Sequence, residues 1–101
     1  MTEQTASQIV GARIRTRRLE LGTSQDVVAK LAGGMNVSNF GKLERGLANP
    51  TLHTLVRVAA VLQMDPGDLL ARIGPESLPP AKATFTVADF IEAKRAAGAE
   101  G

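Results

Sequence analysis

The densest chemistry in the 101-residue sequence is cationic: Arg13, Arg15, Arg17 and Arg18 fall within one short stretch. Such clustering serves anion binding. With twelve Lys and Arg against ten Asp and Glu, the net charge is only +2, while the pI of about 9.5 points the same way. Catalytic chemistry has little to work with. There is no Cys and one His, His53, which excludes thiol catalysis, zinc-finger ligand sets and iron–sulfur clusters. His53 has no nucleophile or metal partner nearby in sequence and is assigned no chemistry. The acids, among them Glu20, Asp26, Glu44, Asp65, Asp68 and Asp89, are mostly explained as helix caps and ion-pair partners. No set of acid, base and nucleophile converges, so the expectation is a chain that is not an enzyme and uses no cofactor or metal.

Those side chains must be held by elements, and glycine and proline punctuate the sequence regularly enough to delimit them. Ser7 is the expected cap of a first helix to about Leu21, with Ile9 or Val10, Ile14 and Leu21 at helical spacing, an arginine-rich opposite face and Gly22 as its stop. That arginine face is either a solvated surface or a reach toward flanking phosphates. Ser24 caps a second helix from Gln25 to Leu31, ended by Gly33-Gly34. Asn36 caps a third, Val37 to Arg45, in which Phe40 and Leu43 can share a core face, and Gly46 closes it. Gly41 inside this helix costs about 1 kcal/mol against Ala, which close packing or close approach to a ligand backbone would each offset. Thr51 caps a fourth helix carrying an apolar stripe of Leu52, Leu55, Val56, Ala59 and Leu62. Asp65 and Pro66 start a fifth, running to Arg72.

From Gly74 to Pro80 the prolines predict an extended linker. Thr86 and Asp89 then form a capping box, Phe85 and Phe90 stand where a hydrophobic staple needs them, and Gly98 is placed to end a helix reaching about Ala97. The expected organisation is a domain over residues 1–74, a proline-rich linker over 75–84 and a helical segment over 85–101. The expected fold class is all-α. No apolar run is long enough to span a bilayer, and a cytoplasmic location is expected.

With only Ala32-Gly33-Gly34-Met35 between them, the second and third helices must cross steeply. Together with Arg18, Ser24-Gln25, Val28-Ala29, the run Gly41 to Gly46, Asn49-Pro50-Thr51-Leu52, and Leu55 with Ala59 and Leu62, this resembles the repressor and Cro class of bacterial and phage helix-turn-helix proteins, the xenobiotic-response-element family. The likeness runs from about Ile9 to Leu70. It departs from the family pattern by one extra residue between Gln25 and Glu44, at the doubled glycine.

The resemblance implies a five-helix lambda-repressor-like domain that places the helix over 37–45 in the major groove of double-stranded DNA, acting as a homodimer and transcriptional repressor on the bacterial nucleoid. It implies Val37, Ser38, Asn39 and Lys42 as base-reading residues: a thymine methyl for Val37, adenine for Asn39, guanine acceptors for Lys42. Gln25, Asn36, Arg45 and Asn49 become phosphate-binding residues, and Arg18 and Glu44 a structural ion pair. A competing reading makes the chain an antitoxin or adaptor that binds a protein partner through residues 85–97, with DNA binding secondary.

Overall fold

The computed structural model describes residues 4–78 and 85–99. Among them every regular element is helical: α1 (Ala6–Glu20), α2 (Gln25–Leu31), α3 (Val37–Glu44), α4 (Leu52–Val61), α5 (Pro66–Leu70), a 3₁₀ turn over Pro75–Ser77, and α6 (Val87–Ala99). The fold is all-α, as the sequence predicts.

Local chemistry sets the helix starts. Ser24, Asn36, Thr51 and Asp65 each turn a side-chain oxygen onto a free N–H of the first turn. The first helix corrects the reading by two residues, since Thr5 rather than Ser7 is the cap. Gln8, three residues on, closes a reciprocal box in which its N–H donates to Thr5 Oγ1 and the Thr5 N–H donates to Gln8 Oε1. Ser7 has no matching partner at that spacing. The Gly33-Gly34 turn has both residues at positive φ, +87° and +72°, so it absorbs an extra residue without straining either flanking helix.

The core is aliphatic around one aromatic. Ile14, Val28, Phe40, Val58, Leu62 and Leu69, contributed by α1 to α4, the α4 cap position and α5, are all closed to solvent. Two positions of the stripe expected on α4 are corrected: Leu52 is 68% exposed and Val56 is also exposed, while Val58 is fully buried. The inward stripe follows Leu55, Val58, Ala59 and Leu62, because α2 and α5 pack against that side. Leu21, expected inward, is likewise exposed as the C-cap of α1.

α1 lies across α3 at Gly11. A Cβ there would run into the Leu43 and Glu44 carbonyl oxygens, so only glycine permits this crossing. Arg13 and Arg17, expected on a solvated or phosphate-facing surface, instead bond back to the protein. Arg13 Nη1 donates to the Leu69 carbonyl (3.0 Å) and Arg17 Nε to the Leu62 carbonyl (2.9 Å), satisfying the exposed C-terminal carbonyls of α5 and α4. Helix α5 stops at Leu70, short of Arg72. The segment read as extended after Gly74 opens with the 3₁₀ turn and a buried Ser77.

Helix α6 starts at the expected box: the Asp89 N–H donates to Thr86 Oγ1 and the Thr86 N–H to Asp89 Oδ2, both 3.0 Å. It runs through Gly98 to Ala99 rather than ending before it. Linker positions 79–84 and the ends 1–3 and 100–101 lie outside the described residues. Among the described residues no helix is long and apolar enough to cross a membrane.

Candidate nucleic-acid interface

Helix α3 has two chemically distinct sides. Phe40, Leu43 and Glu44 turn inward and are buried, whereas Val37, Ser38, Asn39, Lys42 and Arg45 are exposed. The four residues expected to read bases therefore share the open side of one eight-residue helix. They span a methyl surface, a hydroxyl, a primary amide and an ammonium, all groups that match base edges.

Asn36 is committed by its oxygen. Its Oδ1 accepts from the N–H groups of Ser38 (2.8 Å) and Asn39 (3.4 Å), leaving the side-chain NH₂ as donor at the entrance to α3. Arg45 folds back so that Nε donates to the Gly41 carbonyl (3.3 Å), anchoring the guanidinium beside the end of α3. Asn49 is exposed on the α3–α4 loop.

Beneath the open face a buried polar network fixes how α1, α2 and α3 meet. Arg18 grips Glu44 with two parallel bonds, Nε to Oε2 (2.6 Å) and Nη2 to Oε1 (3.0 Å), and its third arm, Nη1, donates to the Thr23 carbonyl (3.0 Å). The fork geometry of guanidinium on carboxylate is the strong form of this pairing. The Glu44 side chain is 1% exposed and that of Arg18 11%. The hydrogen bonds from Arg18 to Glu44 hold the guanidinium above its ordinary pKa, with burial working in the opposite direction. Among the described residues no buried side-chain polar atom is left without a partner.

Gln25 joins this network. Its Nε2 donates to Glu44 Oε1 (2.9 Å), so the side chain expected to be a phosphate ligand is already tied to the carboxylate, with one amide hydrogen remaining. Gly41 faces the same amide: a Cβ there would sit 3.6 Å from Gln25 Oε1, in ordinary contact. Sequence reasoning missed the Gln25–Glu44 bond, the carbonyl bonds of Arg13 and Arg17, and Gly11. Arg13 and Arg17 do carry a signal, being four residues apart on one face of α1, but their targets lie 45 to 56 residues away in sequence.

Comparison with known proteins adds an independent line. The profile of the family described as the helix-turn-helix domain matches residues 9–73. Among solved structures, the restriction-modification controller protein C.AhdI from Aeromonas hydrophila is similar at 34% identity and a TM-score of 0.58, over 61% of this chain and 92% of its own. The clp gene regulator ClgR from C. glutamicum aligns at 24% identity and a TM-score of 0.63, over 67% of this chain and 87% of that one. A chain of the SinR protein/SinI protein complex gives 24% and 0.58, covering 89% and 98%. At 24% identity the last two speak for the fold alone. No curated protein is similar enough to count as a match.

Proposed function

Because the chain belongs to the helix-turn-helix domain family of DNA-binding transcription regulators, we propose that it is a sequence-specific repressor that lays α3 in the major groove of double-stranded DNA and works as a dimer on two half-sites. The observation that carries this reading is the two-sided α3, with Phe40, Leu43 and Glu44 locked inside and Val37, Ser38, Asn39 and Lys42 presented together outside. In this reading Val37 touches a thymine methyl, Asn39 bonds adenine, Lys42 donates to guanine acceptors and Ser38 bonds either strand's edge. Asn36, through its NH₂, Arg45, Asn49 and the remaining amide hydrogen of Gln25 hold phosphates and set the register. The buried Arg18–Glu44 pair takes no part in contact but holds α3 against α1, so that the reading face keeps one orientation. α3 itself carries no arginine, so discrimination is shared among several modest contacts and the shape of the duplex.

The test is to select binding sites from random or genomic duplexes with the purified chain and then measure affinity by anisotropy on labelled DNA. A recovered two-fold symmetric motif, with half-sites about one helical turn apart, supports the reading. Retention of all sequences equally overturns the specific part of it.

The second reading, an adaptor that binds a protein partner through residues 85–97, is favoured by one observation: every described residue from 85 to 98 is exposed.

A further inference from the structure

Four arginines crowd the second half of α1, and the fold employs three of them internally. Arg13 Nη1 donates to the Leu69 carbonyl, Arg17 Nε donates to the Leu62 carbonyl, and Arg18 is forked onto Glu44. Arg15 is left over. It is exposed, and among the described residues it has neither a hydrogen-bond partner nor a carboxylate, since the ion pairs there are Arg17–Glu20 and Arg18–Glu44. Its guanidinium donors are all free.

The place of Arg15 on the helix is not that of a stray surface charge. At 3.6 residues per turn, Gln8, Gly11, Arg15 and Arg18 share an arc of about 80° on α1. The other three members of this strip each meet the end of α3. A Cβ on Gly46, which closes α3, would run into the Gln8 backbone, and a Cβ on Gly11 would run into the Leu43 and Glu44 carbonyl oxygens. Arg18 binds Glu44, which also holds Gln25 at the start of α2. Arg15 lies on the strip between Gly11 and Arg18, and so between the end of α3, where Arg45 is exposed, and the Gln25 amide. Helical side chains lean toward their own N-terminus, which aims this one back over Gly11. Glycine there puts no side chain in its way.

We propose that Arg15 grips a backbone phosphate of the DNA duplex, bringing α1 onto the stretch of strand that Arg45 and Gln25 border. This rests on the DNA-binding reading of α3. A guanidinium suits the task because its fork of N–H groups matches two phosphate oxygens, and a phosphate carries no sequence information. The contact therefore sets the register of the domain on the duplex and specifies no base. The four-arginine stretch supplies one phosphate ligand, and its other members hold the fold.

Anisotropy on labelled duplexes over a salt series tests this. A random-sequence duplex is the main probe, because it reports phosphate contacts whether or not the chain prefers a sequence. Arg15→Ala is expected to reduce the slope of log affinity against log salt by about one unit, which is about tenfold in affinity between 1 M and 0.1 M salt, on random and selected duplexes alike. Arg15→Lys keeps the charge and most of the slope. Arg13→Ala removes an equal charge from the same helix, yet it leaves the slope nearly unchanged and lowers the melting midpoint, whereas Arg15→Ala melts with the parent. Affinity and slope equal to the parent's make Arg15 a solvated charge and overturn the proposal. Equal slope losses from Arg13→Ala and Arg15→Ala reduce the effect to net charge, and a loss confined to one base pair makes Arg15 a base reader; both overturn it. A midpoint lowered by Arg15→Ala as far as by Arg13→Ala overturns it too, because the guanidinium then has a partner inside the protein. In all of these results the parent still binds DNA and the reading of α3 stands. A parent that binds no duplex overturns both.

Discussion

Glu44 accepts three hydrogen bonds from two side chains while almost closed to water, and that concentration of partners makes it sensitive to substitution. Glu44→Ala leaves the Arg18 guanidinium buried with only the Thr23 carbonyl, and unfolding in urea is expected to show a loss of about 3 to 5 kcal/mol. Replacing both partners, as Arg18→Met with Glu44→Leu, should recover most of that loss, because the destabilisation comes from an unpaired charge more than from the missing bond. A double variant no better than Glu44→Ala would contradict this account. Gly41 predicts the opposite sign. A methyl there meets only ordinary contact with Gln25, so Gly41→Ala should raise stability by up to about 1 kcal/mol through helix propensity, read as a higher melting midpoint by circular dichroism. Of the two explanations the sequence left open for Gly41, packing within the protein therefore does not require glycine.

At the scale of elements, what could be read from the sequence was what is decided locally. Caps at Ser24, Asn36, Thr51 and Asp65 depend on a side chain and an N–H two or three residues ahead, and all were legible. The start of α1 was misread between two hydroxyls, and Gln8 decides for Thr5. The α4 stripe was misread because Leu52 and Val56 suit helical spacing as well as Val58 does, and only the positions of α2 and α5 choose between them. The bonds from Arg13 and Arg17 to the ends of α5 and α4 join segments far apart in sequence, which no local pattern contains. Of the candidate interface, the exposed side of α3 was legible from Asn36 and the core positions Phe40 and Leu43, whereas the tie between Gln25 and Glu44 was not. One element carries a pH dependence. Hydrogen bonds from Thr86 hold the Asp89 carboxyl below its ordinary pKa. A depressed carboxyl contributes while ionised, so the cap is complete above the ordinary carboxylate range and is lost as pH falls through the lowered value. Helicity of α6, followed residue by residue by NMR, should decline on acidification, and Asp89→Asn should flatten that decline.

At the scale of the whole molecule, the two classes of contact in the proposed complex are separable by experiment. Asn39→Ala and Lys42→Ala should each weaken binding to a selected site by about 1 to 3 kcal/mol and relax preference at one base pair, with the fold unchanged by circular dichroism. Arg45→Ala should instead weaken selected and random duplexes alike and reduce the slope of log affinity against log salt by about one unit. A base-specific loss from Arg45→Ala, or a uniform one from Lys42→Ala, would exchange their assignments. With Arg13 and Arg17 spent on carbonyls, the cationic stretch that first draws the eye in the sequence contributes less to that slope than its composition implies.

The crossing of α1 over α3 at Gly11 has a genetic consequence. Because the obstacle to a Cβ is backbone carbonyl rather than a side chain that can swing aside, Gly11→Ala must lift the two helices apart at a cost of about 1 to 3 kcal/mol. In a domain of this size each kcal/mol lowers the melting midpoint by about 4 to 8 °C. On the proposed repressor reading, a strain carrying this allele should be conditional on temperature, silencing its target promoter in the cold and releasing it on warming, with no change to any exposed residue of α3.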